Sequence, residues 1–302
     1  MSMRLKSLEG WVLSARRLVL SARYGALAVL CVVLSAGSAA AQQPEAMSLL
    51  ETPLYAPSFS RDVRTRLESE LEATRETYAK DHSNADAALG YIRAQIALGH
   101  IGDALETIAH AIEAAPGDNR LVLERARALV VYRKFDSAER DARKALEAIP
   151  EAGCTLGLAL YLKMQFPQAR EAYEKCTDPG AFKYLADRRA GGTGVARPNR
   201  SVLEEAPAAE IKLPGSVPSK TEKPQPTMTS AYVGAAETIA AETNKPRHGH
   251  KDPAEDTLKQ IVEKNGNRWM EPIYIAAEAD YARILKAEGK FVHPAARKKK
   301  KK

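Results

Sequence analysis

The sequence predicts an all-α protein, and three observations predict it. Leu89, Ala94, Ala104, Ala111 and Pro116 return in the same order, at one fixed offset, as Leu123, Ala128, Ala138, Ala145 and Pro150. Within each copy, apolar residues recur at helical spacing in two runs, 87–98 and 103–114 in the first. Gly99-His100 breaks the two runs and Pro116 closes the unit, so each copy reads as two short antiparallel helices. Ala104 and Ala111 lie two helical turns apart on one face, where small side chains let two helix backbones approach closely. A pair this short cannot bury its apolar stripe alone and must stack on a neighbour.

Residues 1–41 read as an address. Arg4, Lys6, Arg16, Arg17 and Arg23 precede an apolar run from Gly25 to Ser35, and Ala39-Ala40-Ala41 supplies small residues before Gln42. That order is expected of a secretory signal peptide cut after Ala41. An uncleaved anchor is the alternative, although the run is shorter than the roughly 20 residues a spanning helix needs. Residues 42–59, with Pro44, Pro53 and Pro57, read as an extended lead-in. From Ser60 to Lys80, Val63, Leu67, Leu71 and Tyr78 make one stripe of a lone helix covering the end of the stack.

Three units are expected across 60–190, at about 85–118, 119–152 and 153–180. Leu156, Gly157, Leu160, Phe166, Ala169 and Tyr173 mark the third, which is about three residues short before its second helix. Cys154 and Cys176 fall within it. Folding at Gln165-Phe166-Pro167 brings them together, so an exported chain is expected to bond them, with two separate buried thiols as the alternative. Residues 191–228, opened by Gly191-Gly192-Thr193-Gly194 and carrying six prolines from Pro198 to Pro226, read as an extended linker. Residues 229–292 read as weakly helical, with helices near Leu258–Val262 and over 273–289.

A 34-residue period built from helix pairs resembles the tetratricopeptide repeat. The resemblance covers 85–177 well and 60–190 loosely. It departs at Ile92, where the family carries a small residue, and in lacking a tryptophan in any first helix. It implies a partner-binding scaffold whose first helices line a concave groove holding a peptide segment. Carried over by position, the groove-facing residues are Arg93, Ile96, Arg120, Leu123, Arg127, Val130 and Tyr161. Arg93 and Arg127 are one repeat apart and are expected to stack as a two-rung ladder suited to carboxylates, or else to pair with neighbours such as Glu124.

The formal net charge of +7 divides unevenly. Residues 61–190 carry 20 basic and 21 acidic side chains, whereas 191–302 carry 20 and 14. The C-terminal excess equals the six charges of Arg297, Lys298, Lys299, Lys300, Lys301 and Lys302, within a basic tail at 293–302. The repeat region is therefore near neutral, which argues against specific nucleic-acid binding. A run of like charges at the end suits anionic lipids or polymers, and this is the alternative functional reading. The chain carries no P-loop, G-x-S-x-G or H-E-x-x-H. His248 and His250 form an H-x-H pair without clustered carboxylates or cysteines. No enzyme, cofactor, metal or small-molecule substrate is expected. The expected role is a non-enzymatic interaction scaffold of the bacterial cell envelope, exported to the periplasm or beyond, with an unknown protein or peptide partner.

Overall fold

The computed structural model describes residues 43–203, 227–242 and 253–291. They are mostly helical, with one short antiparallel ladder in which β1 (Ala46–Met47) pairs with β2 (Pro53–Leu54). The helices of the first part are α1 (Arg61–Lys80), α2 (Ala85–Leu98), α3 (Ile101–Ala114), α4 (Asn119–Val131), α5 (Phe135–Leu146), α6 (Ala152–Leu162), α7 (Phe166–Tyr173) and α8 (Phe182–Arg189). After them come α9 (Arg200–Leu203), α10 (Met228–Glu242), α11 (Pro253–Lys264) and α12 (Pro272–Ala287).

Local chemistry sets the starts. The side chain of Ser60 accepts from Val63 N, that of Asn84 from Asp86 N and Ala87 N, and that of Asp118 from Arg120 N. The α2–α3, α4–α5 and α6–α7 turns share one device. The residue after α2 and those in the α4–α5 and α6–α7 turns are left-handed, at Gly99 (φ 85°), Arg133 (φ 64°) and Met164 (φ 63°). The step from Gly99 to Arg133 is one full period, whereas the step from Arg133 to Met164 is shorter, so the third turn arrives early. The shorter α6, with 11 residues against 13 in α4, takes up most of that difference.

Packing follows the apolar stripes. Each helix from α1 to α8 packs on the next, and α2 also meets α4, α4 meets α6, and α6 meets α8. Ala104, Ala111, Ala138, Ala145 and Ala169 are all buried, which lets the second helices lie close to the first. Ile92, Ile108 and Leu121 fill the first of the cores, each contributing about 1.5–3 kcal/mol by burial. Cys154, in the first turn of α6, is bonded to Cys176, just beyond α7, with Cα atoms 4.8 Å apart. Closing a loop of 22 residues contributes roughly 3 kcal/mol in the chain-entropy model.

The rest of the chain folds back. Helix α10 packs on α8, α11 and α12, and α12 reaches α6. The lead-in is held by this C-terminal part: Leu49 N donates to Glu278, the Trp269 indole N–H donates to Tyr55 O (2.8 Å), and Asn267 and Ser58 exchange two hydrogen bonds. Two expectations need correction. Residues 42–59 contain a hairpin, because Ser48 Oγ accepts from Leu50 N and Thr52 N and bonds the Thr52 hydroxyl, closing a tight turn. The opening of the expected linker is anchored, because Asp187 accepts from Val195 N, Glu237 holds Arg197, and 200–203 form α9.

Candidate partner-binding groove

Helices α2, α4 and α6 pack in succession. Glu124, on α4 and only 5% exposed, is the centre of a polar cluster formed by α2 and α4. Arg93 Nε, from α2, donates to Glu124 Oε1 at 2.9 Å, and an outer nitrogen of Arg127 donates to the same oxygen at 3.1 Å. The two guanidinium side chains are 61% and 46% exposed. Two cations on one carboxylate leave a net charge of +1. Among the described residues, the other nitrogens of both forks carry no hydrogen bond.

This pair lines a cavity of about 160 Å³ with Ile96, Ala128 and Val131. Arg127 and Val131 are also part of the wall of a second, half-enclosed chamber of about 460 Å³. Its remaining walls include Val130, Leu158, Phe182 and the start of α12 at Pro272-Ile273.

The residues singled out from the sequence therefore separate into three groups. Arg93, Ile96 and Arg127 come together on the smaller cavity, and Val130 lies on the wall of the larger one, which shares Arg127. Arg120 lies at the rim, where it pairs with Asp86 and Asp118 at 2.6 Å each; Asp86 is its equivalent one unit earlier. Leu123 and Tyr161 are not groove-facing. Leu123 is buried against Ala145 and Ala152, because its place on α4 points it at the junction between units. Tyr161 is buried and its hydroxyl meets that of Tyr232 (3.0 Å), which donates to Asp280 (2.9 Å). Burial pushes its phenol up to about 12. Arg297 to Lys302, and the His248–His250 pair, lie outside the described residues.

Comparison with protein-family models, with curated proteins and with solved structures returns no match. The site is read from its own chemistry. Among the described residues there is no cluster of three or more metal-capable side chains, and no helix is long and apolar enough to cross a membrane.

Sequence reasoning missed the buried polar joint between the first helices and α12. Arg133 is ion-paired with Glu278 at 2.9 Å, both buried, and its guanidinium also reaches Trp269 O and lies 5.4 Å from the Trp269 ring. Burial pushes the Glu278 carboxyl up and the Arg133 guanidinium down, while their attraction partly opposes both shifts. Arg189 pairs with Asp280 at 3.0 Å. Burial disfavours its charge, but Asp280, Tyr161 and Tyr232 more than offset that and raise its pKa. Arg283 bonds Asp280 and the carbonyl of Leu162. A charged residue in a turn or on a helix ordinarily reads as solvated. The one usable signal was the pairing of Glu278 and Asp280 with the apolar run of the same helix.

Proposed function

We propose that this protein is a non-enzymatic interaction scaffold, exported to the bacterial cell envelope, which holds a peptide segment against the Arg93–Arg127 face. The observation that carries this reading is the shared carboxylate. Glu124 fixes two guanidinium forks one unit apart, leaving exposed nitrogens aimed at solvent beside apolar ground. Arginine forks held this way suit carboxylates, and pre-positioning lowers the ordering cost of binding. The three left-handed turns, the periodic recurrence and the contacts between alternate helices support a tetratricopeptide-like stack of helical hairpins over 60–190. The Cys154–Cys176 bond supports an oxidising compartment, in line with the basic, then apolar, then small-residue order of positions 1–41.

Affinity capture from envelope extract, read by mass spectrometry, tests the reading. The full chain is compared with Arg93→Gln/Arg127→Gln, which keeps a donor near the buried Glu124, and with a chain ending at Ala296. Loss of a defined partner with the double variant, and its retention by the shortened chain, is the expected result. Loss with the shortened chain alone, reproduced by moderate salt, would instead assign the binding to the lysine tail.

A further inference from the structure

The chamber behind Arg127 has features that a peptide groove does not require. At about 460 Å³ it falls in the size range of small-molecule pockets, which are mostly apolar with a few placed polar groups. Val130, Val131, Leu158, Phe182, Pro272 and Ile273 provide the apolar walls. Tyr173 is also part of the lining, and its hydroxyl is buried without a hydrogen-bond partner, a costly state for a native phenol. The turn at 178–182 and the start of α12 wall the chamber on further sides, and the Cys154–Cys176 bond anchors the base of that turn.

Charge sets the head group. Arg127 is the cation on the lining, and among the described residues most of its fork carries no hydrogen bond. Glu271, the lining acid just before α12, is already held by Arg268 through two bonds of 2.5 and 2.6 Å. Asp178 on the rim would repel an anion, so a ligand carboxylate belongs at Arg127. An extended peptide would bring one N–H and one C=O per residue against walls with few partners for them, which disfavours it.

We propose that this chamber binds a small amphiphilic carboxylate, its head on Arg127 and its apolar body among Val130, Leu158 and Phe182. This goes beyond the peptide reading, shares with it only Arg127 and the adjoining Val130-Val131 wall, and is tested without any protein partner.

The test is calorimetric titration of the full chain with decanoate and, as an uncharged control, decan-1-ol, both below their aggregation limits. Decanoate should bind at one site. Arg127→Gln should weaken decanoate at least tenfold and leave decan-1-ol unchanged. Leu158→Trp, filling the chamber, should remove both ligands while the far-ultraviolet circular dichroism stays that of the parent. Thr229→Trp fills the chamber from another wall and should do the same, so a folding defect in one variant does not decide the matter. The proposal is overturned if the parent does not bind decanoate. It is equally overturned if decanoate survives either filling variant in folded protein, or if Arg127→Gln affects acid and alcohol alike. Capture of a protein partner can succeed or fail independently of all these outcomes.

Discussion

Three left-handed residues show how much one backbone angle can demand of a side chain. Gly99 carries φ 85°, and a Cβ there would stand 2.3 Å from Pro57 Cδ, so position 99 excludes any other residue on two counts. Gly99→Ala is expected to cost at least about 1–2 kcal/mol from the left-handed angle, with the Pro57 clash added, read as a lower urea midpoint. Met164 sits at φ 63° with 51% of its surface exposed and is free of that contact. Met164→Gly should therefore stabilise, by up to about 1 kcal/mol once the entropy cost of glycine is set against the relieved angle; an unchanged or lower midpoint would contradict this. Only the first of the three turns was legible as a turn residue. Arginine and methionine carry no left-handed preference, so Arg133 could be found only by counting the period, and the short step to Met164 breaks even that count.

At the scale of elements, periodicity did well wherever one helix buries one stripe. The runs read at 60–80, 87–98 and 103–114 stand as α1, α2 and α3, and the short third unit ends in α6 and α7. The hairpin at 46–54 was not legible, because so short a ladder has no period to detect. Nor was the docking of α10, whose alanines say that something packs closely but not what. That docking has a pH signature. Glu237, on α10, accepts from Tyr184 of α8 at 2.5 Å and from Arg197 at 2.8 Å. Burial alone would raise its pKa, but these two hydrogen bonds and the nearby arginines hold it below the ordinary 4.5. A depressed carboxylate contributes stability that is present above its unfolded pKa and lost as pH falls through the folded one. The chain should therefore lose stability as pH falls below about 4.5, and Glu237→Gln should flatten that acid limb in a thermal melt series. An acid limb of unchanged slope would remove Glu237 from the account.

For the molecule as a whole, the Arg93–Arg127 pair was readable from its 34-residue spacing, whereas the sharing of the Glu124 carboxylate and its surroundings were not. Leu123 and Tyr161 belong to interiors that only the packing of α4–α6 and the returning C-terminal helices creates. The joint that returns those helices is charged and buried, so removing one partner should matter more than the sum of its contacts. Glu278→Ala leaves Arg133 without its carboxylate and is expected to cost about 3–5 kcal/mol, whereas replacing Arg133 and Glu278 together by apolar residues should cost much less. Urea unfolding of both single variants and the double variant checks this, and a double loss equal to the sum of the two single losses would show that the pair is not coupled. The same joint imposes an order on synthesis. Leu49 N finds Glu278 across 229 residues of chain, and Tyr55 O finds Trp269 across 214. At about 5–20 residues per second, the lead-in waits roughly 10 to 50 s for the residues that hold it. The helix pairs between can form from neighbours alone in that interval, so the lead-in, made before them, settles after them.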